Sequence, residues 1–595
     1  MREISVPAIV TSDPGANLTD LVVDNAAQAP GAPLFSRPTA QGWEDVTCQG
    51  FLAEVTRLAK GMVAAGVSPG DRVGLMSKTR YEWTLADFAI WFVGGVTVPI
   101  YETSSAEQVS WILSDSGAVA VFTETDEHTE LVGGLRDALP ALREVWAFDA
   151  GAVDRLGESG AGVDDGEIEA RRATLSGSSV ATVIYTSGTT GRPKGCELTH
   201  SNFRELCTNA VALLPQVVQA PGASTLLFLP LAHVFARFVQ VLCVAARARL
   251  GHTADVKNLL DDLGAFKPTF VLAVPRVFEK IYNSAEATAE AGGKGKIFKA
   301  AADTAVAWSQ AQDAGGPGLG LKVKHALFDK LVYVKLRDRL GGQVQYAVSG
   351  GAPLGARLGH FFRGVGVTIL EGWGLTETTA PATVNTPDRI RIGSVGRPLP
   401  GVSVRVDDDG ELLVKGVNVL KGYYRNTEAT TEALQDGWFR TGDLGEIDED
   451  GFVRITGRKK EIIVTAAGKN VAPTVLEDRL RAHALVSQTM VVGDQRSYIA
   501  ALVTLDGEML PTWLSNNGKP EMDVATAAKD PDVLAEIQVA VDHANLAVSK
   551  AESIRRFAVL ETDFTEAAGH LTPKLSLKRA VVLKEFADEV EGLYR

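Results

Sequence analysis

The chain has 595 residues, too many for one hydrophobic core, so several subdomains are expected. Its 45% hydrophobic and 22% charged residues are typical of soluble globular proteins, and its net charge of −14 argues against a nucleic-acid partner. The four cysteines have no C-x-x-C spacing, so the sequence indicates neither a disulfide framework nor a zinc site.

The beginning of the chain does not have the pattern of a signal peptide. Residues 1–30 contain aspartates and lack a basic region followed by an apolar core. The longest stretch without Asp, Glu, Lys or Arg, residues 206–236, is interrupted by three prolines, so no membrane span is predicted. The sequence therefore predicts a cytoplasmic protein and leaves peripheral contact with the inner face of the membrane open.

The first third of the chain alternates predicted helices and strands. Helical apolar spacing covers residues 52–65 and 80–92, and strands are predicted at residues 71–76 and 119–123. Such alternation indicates α/β layers around mainly parallel sheets. The polar, glycine-rich segment 151–179 is predicted to be a surface connection.

A glycine- and hydroxyl-rich segment, Y-T-S-G-T-T-G-R-P-K-G, occupies residues 185–195 directly after a predicted buried strand at 180–184. Glycines let a backbone approach a ligand closely, hydroxyls can donate to phosphate oxygens, and the cations neutralise charge. The segment does not fit the pattern G-x-x-x-x-G-K-[ST], because Pro193 stands where a glycine is required and Gly195 follows the lysine. It therefore predicts a polyphosphate loop of another kind.

Strands are next predicted at residues 226–229 and 269–273, with a helix from Arg276. A long helical insertion follows at residues 282–342, interrupted by two glycine-rich breaks. Its favoured interpretation is a helical decoration packed on the core. The alternative is a basic, partly apolar surface near the entrance of a lipid site.

Two further motifs offer ligands for a nucleotide. A strand at 344–348 leads into S-G-G-A-P, and the later motif E-G-W-G-L-T-E-T contains Glu377, a carboxylate suited to Mg²⁺. Asp443, in R-T-G-D, could accept hydrogen bonds from a ribose diol. Asp-Gly turns joining short strands predict a small β-rich subdomain at about 394–457, and helices and strands alternate again beyond it.

In this order the motifs resemble the adenylate-forming superfamily of acyl-CoA synthetases, over nearly the whole chain. The run D-G-W-F-R-T-G-D-L-G-E-I-D-E-D-G-F-V-R-I-T-G-R-K-K looks like the fatty acyl-CoA synthetase signature. The helical insertion and the segment P-L-A-H-V-F-A-R look most like the long-chain fatty-acid–CoA ligases. Gly457 departs from the pattern, because many relatives have aspartate there. The resemblance implies a large N-terminal domain, residues 1–457, of two doubly wound α/β subdomains and the β subdomain. A small mobile α+β domain would follow at 458–595, with its hinge near Lys460.

The resemblance also implies roles for individual residues. The phosphates of ATP would be held by Thr186, Ser187, Gly188, Thr189, Thr190 and Lys194. The adenine pocket would be lined by Gly351, Ala352, Pro353, Gly372, Trp373 and Gly374. Thr376 would meet the α-phosphate, while Glu377 and Thr186 would hold Mg²⁺. Asp443 and Arg458 would bind the ribose, and Gly468 would approach the pantetheine arm of CoA after the domain turns.

Catalysis in this family depends on a lysine of the mobile domain. The matching motif here is L-T-P-K-L-S-L-K-R, in which Lys574 is the preferred candidate and Lys578 the alternative. His233 would stabilise charge beside the α-phosphate. Arg237 stands where some relatives have an aromatic gate over the fatty-acid tunnel, so it either stabilises packing or contacts the insertion.

The implied reaction has two halves, with a fatty acid, ATP and CoA as substrates. A fatty carboxylate displaces pyrophosphate from ATP to give acyl-AMP, and the CoA thiolate then displaces AMP. Alternatives are a fatty acyl-AMP ligase that loads a carrier protein, a medium-chain ligase, and a non-catalytic nucleotide- or lipid-binding protein. The sequence leaves a homodimer open and predicts no chain-length preference.

Overall fold

The structure, a computed structural model, describes residues 1–40, 42–186, 192–255, 258–572 and 576–595. Within these ranges no helix combines the length and the apolar character needed to cross a membrane. Two bodies, each with its own hydrophobic core, make up the molecule. The core of the larger body extends to Val453, and that of the smaller one begins at Ile463.

A seven-stranded, mainly parallel sheet organises the first part of the larger body. Its strands lie in the order Gly422–Tyr423, Lys194–Thr199, Val180–Thr186, Val96–Ile100, Arg72–Met76, Ala120–Thr123 and Glu144–Ala147. Alternate residues of the central strands point to opposite faces, so Leu75 packs in the main core and Met76 in a second core. Helices cover both faces, namely Cys48–Ala64, Tyr81–Phe92, Ala106–Ser116 and Asp126–Gly133. This is the doubly wound arrangement that the sequence predicts.

Two further sheets meet edge to edge beside the first. One has the order Ser224–Leu227, Arg249–His252, Pro33–Thr39, Gly42–Thr47. The other has the order Phe270–Ala273, Tyr346–Ser349, Thr368–Leu375, Ala380–Val384, Arg397–Pro398. The Thr269 amide donates to the Ser224 carbonyl at 2.9 Å, which brings the two sheets together. Around them lie the helices Leu18–Gln28, His200–Leu213, Pro215–Val218, Val234–Ala246, Leu259–Phe266 and Ala356–Val365.

The predicted β-rich subdomain is a six-stranded antiparallel sheet. It contains Glu3–Val6, Val402–Val406, Glu411–Gly416, Trp438–Ile447, Leu434–Gln435 and Val453–Arg458, with the helix Thr427–Ala433 beside it. The three Asp-Gly turns form as predicted, because Gly410, Gly437 and Gly451 have φ of +85°, +78° and +85°, values that glycine adopts without strain. The strand from the beginning of the chain is a partner that the sequence did not predict.

The smaller body has the predicted α+β form. Its sheet contains Val486–Val492, Ile499–Leu505 and Ile554–Val559, and a hairpin joins Ile463–Val464 to Asn470–Val471. The helices are Pro473–Arg481, Leu510–Asn516, Val524–Ala527, Pro531–Asn545, Arg579–Glu585 and Ala587–Gly592. The boundary at 457 and the hinge at Lys460 stay predictions.

The insertion folds into helices that break where glycines were expected to interrupt it. The helices are Pro275–Ala291, Gly295–Asp313, Leu319–Phe328 and Val334–Arg339, with a π-helical turn at Asp329–Tyr333. A Cβ on Gly364 would collide with the Ala305 carbonyl, so the second of these helices lies against the Ala356–Val365 helix at backbone contact. The inner face is thus part of the core, in agreement with the favoured interpretation.

The prediction of a surface connection at residues 151–179 is wrong. Two helices, Ala152–Ser159 and Asp165–Arg172, form there and bury Leu156 and Ile168. Leu156 lies so close to the Cys48–Ala64 helix that a Cβ on Gly61 would collide with its carbonyl. Helices this short gain little from intrinsic propensity, and their packing against a neighbouring helix stabilises them.

Candidate active site

The predicted phosphate loop begins and ends on two paired antiparallel strands. Val180–Thr186 pairs with Lys194–Thr199, and Thr186 lies directly opposite Lys194. The hydroxyl of Thr186 and the ammonium group of Lys194 therefore belong to facing residues at the ends of the two strands. Of the predicted phosphate ligands, Ser187, Gly188, Thr189 and Thr190 lie outside the described residues.

Aromatic side chains hold the returning strand of this hairpin. The Trp111 indole N–H donates to the Pro193 carbonyl at 2.9 Å, and the Arg192 guanidinium lies 4.7 Å from the Trp111 ring centroid. The Lys194 ammonium lies 5.3 Å from the ring centroid of Tyr423. Such cation–π contacts fix the direction of a cation and leave its charge in place.

Glu377 contacts the hydroxyl group of Tyr423. The Tyr423 hydroxyl donates to Glu377 Oε1 at 3.0 Å, and burial together with the Glu377 charge raises the pKa of this phenol. Cys196 is fully buried nearby, and burial followed by Glu377 raises the pKa of its thiol well above the ordinary range. Since phenol and thiol stay neutral, the Glu377 carboxylate is the one negative charge among these three side chains.

These groups suit a cation that takes most of its ligands from phosphate and water. The Thr186 hydroxyl lies 3.8 Å from Cys196 Sγ, on the same side as Glu377. Within the described ranges no cluster of three or more His, Cys, Asp or Glu has metal-binding geometry. One carboxylate and one hydroxyl are ligands of the kind that Mg²⁺ takes in nucleotide sites, where it uses one or two carboxylates and phosphate oxygens.

A buried carboxylate brings three predicted nucleotide ligands together. Asp443 is 4% exposed, and it lies opposite Arg458 in an antiparallel strand pair. Asp443 Oδ1 is 2.9 Å from Arg458 Nε, and Oδ2 accepts from the Trp373 indole N–H at 2.8 Å. The carboxylate is therefore oriented by two donors and keeps lone pairs for further hydrogen bonds.

The residues predicted to line the adenine pocket lie at the ends of two parallel strands. Ser349 pairs with Glu371 across the sheet, so the turns that follow both strands lie at the same edge. Gly351, Ala352 and Pro353 are exposed there. Gly374 must be glycine, since a Cβ would collide with the Ala380 carbonyl.

Glu371, which the sequence did not single out, supports this pocket. It is 8% exposed and accepts the Leu354 amide at 3.1 Å, directly after the glycine-rich turn. Burial raises its pKa to about 7, and hydrogen bonds from the backbone of Leu354 and Gly393 oppose that shift. A glutamate beginning a glycine-rich motif was the available signal, but its burial could not be seen in the sequence.

His233 is the N-cap of the Val234–Ala246 helix. Its Nδ1 accepts the Phe235 amide at 3.2 Å, so a neutral ring carries its proton on Nε2. Phe235 lies beside the pocket, because its ring is 3.7 Å from the position that a Cβ of Gly350 would take. The predicted histidine thus begins a helix whose first turn contacts the glycine-rich turn.

Arg237 lies in the core, which decides between the two expected roles in favour of packing. Its guanidinium contacts both oxygens of Asp87, at 2.6 and 3.2 Å, and donates to the Thr182 hydroxyl at 2.5 Å. Arg237 and Asp87 are both 0% exposed. The rings of Trp83, Trp91 and Phe203 lie 5.4 to 5.7 Å from the guanidinium.

The smaller body supplies the remaining predicted residues. Lys460 and Gly468 are exposed, and Gly468 turns the Ile463–Val471 hairpin with a φ of +77°. Lys574 lies outside the described residues, whereas Lys578 is the N-cap of the Arg579–Glu585 helix. The Thr103 hydroxyl donates to the Glu566 carboxylate at 2.5 Å, a contact between the two bodies on the side of the Trp111 helix.

A second contact between the bodies lies at the start of the insertion. The Arg276 guanidinium is 2.9 Å from the Asp506 carboxylate, and the Lys280 ammonium is 2.5 Å from Glu508. The Lys280–Glu508 pair is exposed and contributes little on its own, whereas the Arg276–Asp506 pair is partly buried.

Comparison with known proteins places these features in context. The family model of the AMP-binding enzyme matches residues 22–424, and that of the AMP-binding enzyme C-terminal domain matches residues 460–595. The long-chain-fatty-acid–CoA ligase FadD15 of Mycobacterium tuberculosis is 54% identical to this chain over 100% of both proteins.

Solved structures share the fold at lower identity. The A domain of carboxylic acid reductase from Segniliparus rugosus, in complex with AMP and a co-purified carboxylic acid, superposes with a TM-score of 0.75 at 20% identity. That match covers 98% of this chain and 95% of the other. The O-succinylbenzoate CoA synthetase of Bacillus subtilis, in complex with ATP and magnesium, gives 0.67 at 20% identity, covering 94% and 98%.

Proposed function

The chain belongs to the AMP-binding enzyme family, and on that basis we propose that it is a long-chain fatty-acid–CoA ligase working through an acyl-AMP intermediate. The full-length similarity to the FadD15 ligase supports the substrate class. The single geometric observation that carries the proposal is the arrangement around Tyr423, which has the Lys194 ammonium over its ring and Glu377 on its hydroxyl. One side chain thus contacts both the cation that would bind phosphate and the carboxylate that would bind Mg²⁺.

ATP would lie between this hairpin and the glycine-rich turn at 349–353. Asp443, already oriented by Trp373 and Arg458, would accept the hydroxyls of the ribose. The adenine would occupy the exposed edge formed by Gly351 to Pro353 and the Gly372–Gly374 segment. Bound Mg²⁺, held by Glu377 and Thr186, would neutralise phosphate charge during the transfer.

In the first half-reaction the fatty carboxylate oxygen forms a bond to the α-phosphorus as the bond to the bridging oxygen of pyrophosphate breaks. Two anions must meet, so preorganised donors and cations dominate the rate. The Nε2–H of His233, fixed by its Nδ1 hydrogen bond to Phe235, would donate to an oxygen that gains charge. Thr376 would contact the α-phosphate, and Lys574 would approach it from the smaller body.

The second half-reaction needs a different position of the smaller body. The contact between Thr103 and Glu566 lies close in sequence to the lysine segment, which supports assigning the observed arrangement to acyl-AMP formation. Rotation about Lys460 would remove Lys574 and bring Gly468 towards the site, where the CoA thiolate attacks the acyl carbon and AMP leaves. A cytoplasmic location and the oligomeric state stay predictions from the sequence.

Incubation with ATP, Mg²⁺ and palmitate, with and without CoA, tests the proposal. We expect palmitoyl-CoA only when CoA is present, and palmitoyl-AMP and pyrophosphate without it. Steady acyl-AMP with no thioester would instead support a ligase that loads a carrier protein. A preference for medium chains in a fatty-acid series would replace the long-chain assignment, and absence of pyrophosphate release with every acid would indicate a binding protein.

A further inference from the structure

The insertion exposes a row of large apolar side chains that no other part of the described chain matches. The row lies on Leu319–Phe328, Asp329–Tyr333 and Val334–Arg339 and is called here the apolar stripe. Its members, with their exposed fractions, are Leu319 82%, Val323 72%, Leu327 56%, Leu331 51% and Val334 38%. Every other helix of the described chain carries at most two exposed side chains of this class, so the stripe is not an ordinary surface.

The spacing of the stripe puts its members on one face. Successive members are four, four, four and three residues apart, the repeat that aligns side chains along a helix. The opposite face is anchored without them, because Tyr333 and Leu336 are buried. His325 stacks on Trp308 with ring centroids 4.0 Å apart, and its Nε2 lies 2.7 Å from the Gly364 carbonyl oxygen. The main contacts that hold these helices to the core therefore lie on the face opposite the stripe.

Cations surround the stripe although the chain as a whole is acidic. Lys322, Lys324, Lys330 and Lys335 are all exposed on the same helices. One of the two aspartates there, Asp329, is paired with Arg337 at 2.7 Å. The chain has a net charge of −14, yet this apolar face is bordered by lysines. Such a face is complementary to a partner surface that has an apolar interior and negatively charged groups at its boundary.

We propose that the apolar stripe docks this protein on an anionic lipid bilayer. The helices would lie in the plane of the interface, with the leucines and valines among the upper acyl chains and the lysines extended to the lipid phosphates. A second copy of the chain fits this face less well, since a two-fold contact would oppose the same lysines. Docking would hold the enzyme where sparingly soluble long-chain acids are concentrated, but it does not depend on catalysis.

Vesicle flotation of the full-length protein, without ATP or CoA, tests the proposal independently of the proposed reaction. The vesicles contain phosphatidylcholine alone or a three-to-one mixture with phosphatidylglycerol, at about 0.1 M salt. We expect binding to the anionic vesicles and weaker binding to the neutral ones. Replacing both Leu327→Gln and Leu331→Gln should weaken binding to anionic vesicles about a hundredfold, roughly tenfold for each side chain that no longer inserts.

Replacing Lys322→Gln and Lys324→Gln should weaken binding to the anionic vesicles by about thirtyfold and change binding to neutral vesicles little. The matched control is Leu546→Gln, which removes a leucine that is 78% exposed on the smaller body and should leave binding unchanged. All variants should keep the wild-type melting temperature. Absence of wild-type flotation with anionic vesicles, or wild-type flotation of the double leucine variant, would overturn the proposal. A wild-type dimer that the leucine variant dissociates would assign the stripe to self-association instead.

Discussion

The buried pair of Arg237 and Asp87 gives the sharpest prediction, because it connects the helix of His233 to the strand of the phosphate hairpin. Asp87 accepts from the guanidinium, from the Thr97 hydroxyl at 2.7 Å and from the Gln240 amide at 2.9 Å. Arg237 follows His233 by one helical turn, and it also donates to Thr182, four residues before Thr186. Replacing Arg237→Met keeps an unbranched side chain that fills the space of the arginine stem, and it removes the guanidinium with its charge and donors.

The expected loss follows from what the variant leaves behind. Breaking a buried ion pair on one side costs about 3–5 kcal/mol, because the remaining charge is desolvated and uncompensated. Asp87 would keep its hydrogen bonds from Thr97 and Gln240, so we expect the lower end, about 3 kcal/mol of unfolding free energy. In the double variant Arg237→Met with Asp87→Asn no charge stays buried, and it should be less destabilised than Arg237→Met alone.

Urea unfolding of the full-length protein, followed by tryptophan fluorescence, measures these differences, since Trp83 and Trp91 lie beside the guanidinium. In native conditions, pyrophosphate release by Arg237→Met should have a lower kcat with a smaller change in the KM for ATP, because the nucleotide ligands are untouched. A stability within 0.5 kcal/mol of the wild type would contradict the reasoning. A double variant whose loss of unfolding free energy equals the sum of the two single-variant losses would also contradict it.

Other substitutions test the site more directly. Lys574→Ala should lower pyrophosphate release about 10²-fold while Lys578→Ala keeps it near the wild-type rate, and the reverse result would assign the role to Lys578. Glu377→Gln should raise the Mg²⁺ concentration needed for half-maximal rate on the order of tenfold. Asp443→Asn should raise the KM for ATP by a similar factor, on the order of tenfold. An unchanged value in either variant would show that the replaced residue does not belong to the site. The pKa of Glu371 is about 7 in the folded state, above its ordinary 4.5, so its contribution to stability is present at low pH and is lost as the pH rises through 7. Relative to Glu371→Gln, the wild type should therefore lose about 3 kcal/mol of unfolding free energy between pH 4.5 and 8, and parallel pH profiles would refute the assignment.

The fold was predictable where local patterns and tertiary packing agree. The strand at Arg72–Met76 and the helix at Tyr81–Phe92 have apolar runs that only a buried position satisfies. The Asp-Gly turns fixed the β subdomain, because turn chemistry is local. The prediction for residues 151–179 was wrong because local pattern and tertiary packing do not agree there. The few apolar side chains of this segment favour helices only when they pack against the Cys48–Ala64 helix.

Residues of the candidate site could be predicted where they stand in a recognisable sequence motif. They could not be predicted where a residue from a distant segment supplies the contact. Glu377, Asp443 and Trp373 stand in distinctive segments, and the sequence singled them out. Tyr423 has no such signal, since it reaches Glu377 from a two-residue edge strand 46 residues further along the chain. The role of Arg237 also depended on tertiary structure, because the pairing partner Asp87 is 150 residues away.

The segment before and within the Ala106–Ser116 helix bears on the proposed rotation of the smaller body between the two half-reactions. Trp111 holds the Arg192–Pro193 end of the phosphate hairpin, and Thr103, eight residues earlier, holds Glu566 of the smaller body. One short segment of the chain therefore contacts both the phosphate hairpin and Glu566 of the smaller body. The proposed rotation, which would bring Gly468 to the site, would break the contact between Thr103 and Glu566 and leave the contact between Trp111 and Pro193 intact. We expect the phosphate hairpin to keep its place through both half-reactions. The rotation would remove Lys574 from the site and bring Gly468 there, next to the pantetheine arm of CoA.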